Sequence, residues 1–218
     1  MIKELKYMNI NYSLKDLEYI DYLCEKIELE CDKILNFFEI KKLNEKVKIK
    51  LYDDLKKLQM LYKETYNMEP ENWLCGFALD NNVYTLSLSE YKKTSSHEDA
   101  IVDDLIRLIL HEFTHSIHSK RHSNMVIKWL TEGAATYLSG QNEDAKEITA
   151  NLFQIINGGC SYSNYRAMFA YVYETYGKEY MLKLIDDEKL LLEETERLYL
   201  ETIEFYNNNN LTNKKYCV

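Results

Sequence analysis

Apolar and polar residues alternate along this chain with two different periods. From Leu14 to about Lys42, Leu14, Leu17, Ile20, Leu23, Ile27, Leu29, Ile34 and Phe38 fall close to helical spacing. That predicts one long amphipathic helix with Ser13 as its N-cap. Val47, Ile49 and Leu51 then alternate with lysines, the period of a half-buried strand from Val47 to Tyr52, and Asp53 to Tyr66 returns to helical spacing before Pro70. Two strand-like runs follow, Trp73 to Asp80 and Val83 to Ser89, joined at Asn81-Asn82. Asparagine tolerates positive φ, so this predicts a hairpin leading directly into the next helix.

That next helix runs from Ser96 to about Ser119. Ile101, Leu105, Leu108 and Ile109 mark its apolar face, Ser96 is its expected N-cap, and His97, Glu98 and Asp99 fill the first turn. A second helix covers Lys128 to Leu138 and a third about Glu143 to Ile156, broken by Asn157-Gly158-Gly159. Tyr162 to Tyr176 forms another that ends at Gly177, and Glu188 to Tyr206 a last one, with a polar tail from Asn207. Strands in the first half and helices in the second predict an α+β chain with a small mixed sheet.

Composition narrows the picture. The chain has 218 residues, 46% of them hydrophobic, with only 6 Gly and 1 Pro, which argues for a globular core without linkers and for a single domain. A net charge of -9 and no basic run argue against nucleic acid or an anionic membrane as partner. The first residues lack the apolar core of a signal peptide, and no segment reaches 18 consecutive apolar residues, so a cytoplasmic setting is expected. The 5 cysteines are scattered and none forms C-x-x-C. They are expected to be reduced core thiols, with Cys75 able to approach a metal only if the hairpin edge borders the site.

The chemistry concentrates at His111-Glu112-Phe113-Thr114-His115. On a helix the two histidines lie one turn apart on one face, so both imidazoles can reach one ion about 2.0–2.1 Å from each nitrogen. Glu112 stands beside that ion, where a zinc hydrolase needs a base to take the proton of attacking water. A third ligand must come from downstream. His118 and His122 continue the helix, but seven residues span about 10 Å along the axis, too far for His111 and His118 to share an ion.

Glu132 is the remaining choice, in Lys128-Trp129-Leu130-Thr131-Glu132-Gly133-Ala134-Ala135-Thr136-Tyr137. A His-Glu-x-x-His helix followed by Trp-Leu-x-Glu-Gly-x-Ala-x-Tyr resembles the gluzincin metallopeptidases. The resemblance implies a zincin-like fold, with an edge strand beside the active-site helix and a mostly helical C-terminal half. It implies Zn2+ held by His111, His115 and Glu132, with Glu112 as general base and a peptide or protein as substrate. Gly133, Ala134 and Ala135 would let the two site helices approach closely.

The interval of 16 residues between His115 and Glu132 is slightly shorter than in larger gluzincins. Thr136 stands where many relatives carry an acid that orients a zinc histidine, leaving that role to Asp103, Asp104 or Glu143. In small gluzincin-like domains a tyrosine of the closing helix can face the zinc, which here points to Tyr165, with Tyr162 second and His118 and His122 in reserve. The hairpin edge either docks an extended peptide by strand addition or only packs. Residues 1–45 are then a helical extension, 46–186 the catalytic core, and 187–218 the C-terminal helix and tail. A metal-binding scaffold without turnover, or an amidohydrolase acting on a non-peptide amide, shares the same motif.

Overall fold

The structure, a computed structural model, describes residues 1–71, 74–94, 97–122 and 127–215, with side chains as far as 209. Among the described residues there are five strands: β1 (Ile2–Glu4), β2 (Met8–Asn11), β3 (Val47–Tyr52), β4 (Gly76–Leu79) and β5 (Asn82–Leu86). The helices are α1 (Ile20–Phe37), α2 (Leu55–Tyr66), α3 (Leu88–Tyr91), α4 (Val102–Arg121), α5 (Lys128–Leu138), α6 (Leu152–Asn157), α7 (Tyr162–Asp186) and α8 (Glu188–Lys215). The chain is therefore α+β. It divides into two compact units, one up to Ile117 and one from His118.

The first unit holds a mixed sheet in the order β1-β2-β3-β5-β4. β2, β3 and β5 run parallel, while β1 and β4 are antiparallel edge strands. β3 spans the range its alternation predicts: Val47 and Ile49 are buried and Lys48 and Lys50 exposed, so each apolar residue contributes about 1.5–3 kcal/mol of burial. β1 and β2 were invisible in the pattern. They are three and four residues long, too short for a period to register, yet Met8 and Ile10 are fully inside. The expected helical extension over residues 1–45 thus contains two strands of the sheet.

The expected helix from Leu14 is also two pieces. Ser13 and Asp16 close a reciprocal capping box around a single 3-10 turn, and α1 begins only at Ile20. Leu14, Leu17 and Leu29, counted in the stripe, are more than half exposed. α1 ends at Phe37, where Glu39 takes φ +58° and Ile40 N–H reaches back to Leu35 O at 2.9 Å. α2 starts at Leu55, two residues after the expected Asp53, with Asp54 as N-cap accepting from Lys56 and Lys57 N–H, and ends at Tyr66 as expected. It packs with β4 and β5 in a cluster of Leu58, Leu74, Cys75, Phe77, Leu86 and Tyr91. Cys75 is therefore a core thiol, its pKa pushed up by burial.

In the second unit α5 packs on α7. Trp129 is fully buried, and its indole N–H donates to Thr195 Oγ1 of α8 at 3.2 Å. The helix expected from Glu143 starts only at Leu152. Asn164 Oδ1 captures the N–H groups of Thr149 and Ala150 at 2.7 and 3.0 Å, and Asn151 with Gln154 forms the capping box that opens α6. The helical run from Tyr162 ends at Gly177 as expected, since Gly177 at φ +80° is non-helical and divides α7 into two helices, and α8 continues through the asparagines to Lys215. Among the described residues no helix is long and apolar enough to cross a membrane.

Candidate metal centre

α4 carries the motif and starts later than its pattern predicts. His97 to Ile101 precede the helix, with Ile101 N–H capped by Asp104 Oδ2 at 2.9 Å, and Ile101 is 56% exposed. The expected N-cap Ser96 lies outside the described residues. From Leu105 the reading holds: Leu105, Ile109, Phe113 and Ile117 are fully buried and fix the helix. His111, Glu112 and Thr114 are buried with them. Ser116 Oγ donates to Asp80 O at 2.8 Å, tying α4 to the β4–β5 turn.

That turn is Asp80-Asn81, one residue earlier than expected, since Leu79 pairs with Asn82 and Asp80 takes φ +52°. α3 also intervenes between the hairpin and α4. Cys75 O accepts from Leu86 N–H, so antiparallel alternation turns Cys75, Phe77 and Leu79 towards β5, and the backbone groups of Gly76 and Ala78 outward. The outward Ala78 carbonyl accepts from the Tyr66 hydroxyl at 3.0 Å. Burial raises the Tyr66 pKa, with Tyr62 and then the Glu112 carboxylate adding to the rise. Glu112 and Tyr66 are thus in electrostatic reach, a pairing that nothing in the sequence signals.

His111 and His115 bring their Nε2 atoms to 3.1 Å, with ring planes 79° apart. His111, His115 and Glu132 each offer one ligand atom, all within 4.8 Å of one another, the one such group among the described residues. This trio can hold a metal ion. Glu132 sits on the first turns of α5, its side chain 13% exposed, and accepts from Lys128 Nζ at 3.1 Å. No family model matches the chain, and comparisons with curated proteins and with solved structures likewise gave no match.

The glycine of the second motif does something other than expected. A Cβ at Gly133 would lie 2.7 Å from Tyr165 O and 2.8 Å from Phe169 Cβ, so the close approach it permits is between α5 and α7. Thr136 donates to Glu132 O at 2.6 Å, an intrahelical bond. Asp103 accepts from Tyr22 and Asp104 caps the helix start, about 10 Å along the axis from His111, while Glu143 is exposed.

Tyr165 is buried, its hydroxyl 3.5 Å from Gln154 O. Burial, Cys160 and, more weakly, Glu132 raise its pKa above the ordinary phenol range. The Tyr162 ring lies edge-on to it at 6.1 Å. His118 is buried in the last turn of α4 and His122 just follows it; neither belongs to the metal trio.

Proposed function

We propose that the protein is a zinc metallopeptidase of gluzincin type on a zincin-like fold, with His111, His115 and Glu132 as ligands and Glu112 as general base. The convergence of those three ligand atoms carries the proposal. The donor set suits zinc, being two imidazoles and a carboxylate, and 3.1 Å is close to the spacing of two nitrogens each about 2.0–2.1 Å from one tetrahedral ion.

A bound zinc supplies Lewis acidity, polarising the substrate carbonyl and lowering the pKa of water towards neutrality. The chain's own groups handle the protons. Glu112 accepts one from the attacking water and delivers it to the amide nitrogen as the C–N bond breaks. The Tyr165 phenol, kept protonated by burial, is the proposed donor to the developing oxyanion.

The substrate is a peptide or protein segment that pairs with the outer edge of β4, the terminal strand of the sheet, whose turn into β5 is bonded to α4. Gly76 offers the first outward position, whereas the Ala78 carbonyl must be released by Tyr66 before a peptide can use it. A cytoplasmic setting belongs to the same proposal, in keeping with the free thiols of Cys24, Cys31, Cys75 and Cys160.

Elemental analysis of the native protein and of Glu132→Ala tests the site. About one zinc per chain, lost in the variant, is expected from a three-ligand centre; full zinc in the variant would remove Glu132 as a ligand. Hydrolysis of a peptide library should fall about 10²–10⁴-fold in Glu112→Gln with zinc retained. Metal without turnover in the native protein would turn the reading to a scaffold.

A further inference from the structure

The phenol of Tyr66 makes two contacts that an added strand would also make. Its hydroxyl donates to Ala78 O, an outward carbonyl of β4, at 3.0 Å. That is the length of a ladder hydrogen bond, so the phenol oxygen stands where the N–H of an incoming peptide would have to stand. Its ring lies 4.8 Å from that of Tyr62 and 5.9 Å, edge-on, from that of Phe77, and Tyr62 and Phe77 are themselves 5.3 Å apart. Three rings thus meet on one face of the sheet margin, at separations where aromatic pairs attract beyond the area they bury.

Tyr66 is held there lightly. It is the last residue of α2, followed by Asn67 at φ +51°, and it is 37% exposed, whereas Phe77 is buried. One neutral hydrogen bond and two ring contacts keep the phenol in place. Rotation of its side chain releases it without disturbing Leu58 or Leu74 in the cluster beneath.

Alternation fixes what would replace it. Successive residues of a strand face opposite sides, and residues paired across a ladder face the same side. A peptide bonded to the outward groups of Ala78 therefore puts the side chain opposite Phe77 on the face of Phe77, with Cβ atoms about 4.5–5.5 Å apart. The Tyr66 ring fills that space, and a small side chain in its place would leave Tyr62 and Phe77 facing a void.

We propose that Tyr66 holds the place of an aromatic substrate residue, so that the segment β4 receives carries Phe, Tyr or Trp opposite Phe77. This rests on the outer edge of β4 being the docking strand, as proposed above. The bound segment then repeats both contacts of the phenol, its backbone N–H on Ala78 O and its ring against Tyr62 and Phe77. Glu112 acts electrostatically on Tyr66, so the exchange takes place within the field of the proposed base.

Calorimetric titration with short peptides tests this without relying on turnover. The full chain carries Glu112→Gln, which keeps cleavage out of the titration, and is used at low ionic strength, where a net charge of -9 holds copies apart. The probes are alanine pentapeptides, capped at both ends, with phenylalanine or alanine at the centre. The phenylalanine peptide is expected to bind about 10-fold more tightly than the alanine one. Adding Tyr66→Ala removes the internal competitor and should tighten both peptides several-fold while the preference stays. Adding Tyr62→Leu takes one ring from the niche and should cut the preference about threefold with the alanine peptide unchanged. Circular dichroism confirms that each variant is folded.

Equal affinity for the two peptides before either substitution would overturn the aromatic niche. A preference that survives Tyr62→Leu, or peptide binding that Tyr66→Ala leaves unchanged, would show that the ring is recognised elsewhere. No binding of either peptide to any of these proteins would sink the docking strand itself. The zinc reading is separable, because hydrolysis by the native protein is read on its own.

Discussion

Gly133 is one atom short of every other residue, and the packing of α5 on α7 depends on that difference. A methyl there would meet the Tyr165 carbonyl oxygen at 2.7 Å and Phe169 Cβ at 2.8 Å, both inside van der Waals contact. Alanine is the better helix former by about 1 kcal/mol, but forcing α5 from α7 costs about 1–3 kcal/mol, so the clash should win. Gly133→Ala is expected to lower the urea midpoint, and metal affinity should weaken with it because Glu132 is the neighbouring residue. A midpoint equal to or above that of the native protein would show that α7 yields without strain. The motif signalled a close approach at this glycine; it could not say which helix came near, because Tyr165 and Phe169 are more than thirty residues away in sequence.

At the scale of elements, α1 buries two thiols along one face, Cys24 and Cys31. Burial pushes Cys24 up to about 11 from an ordinary 9.0, and raises Cys31 as well. A raised folded pKa means that the native state keeps the proton while the unfolded chain releases it. Stability from these groups is therefore complete below pH 9 and declines as pH rises towards 11. Urea midpoints between pH 9 and 10, below the ordinary phenol range, should fall less steeply in Cys24→Ala than in the native protein; parallel slopes would mean that Cys24 is not the group responsible.

The same scale shows what the sequence could convey. β3, α2 and the body of α4 follow their own periodicity, because each buries one face over six or more residues. The boundaries that moved are those set by single polar side chains. Asp16 closes a turn ahead of α1, Asp104 delays α4, and Asn164 holds the backbone of Thr149 and Ala150 out of a helix. β1 and β2 gain their meaning only from pairing, β2 with Val47 to Lys50, which no local pattern announces. His111 and His115 were legible as a possible metal pair because helical spacing alone puts both on one face. Tyr66 gave no such signal, since what matters about it is the single oxygen its hydroxyl reaches.

Across the whole molecule, a charge of -9 makes two copies repel, and salt of about 0.15 M screens that repulsion beyond roughly 8 Å. What remains at short range is the character of the sheet margins. An open strand edge is a template for another copy, and the carbonyl that Tyr66 occupies on β4 is one of the few outward backbone groups there. Removing only the hydroxyl, in Tyr66→Phe, should leave the fold intact while freeing that acceptor. Light scattering at raised ionic strength is expected to show concentration-dependent association in the variant and not in the native protein; equal scattering would mean that the edge is guarded by something else. A single phenol is then what keeps a carbonyl of this margin from seeding a fibre.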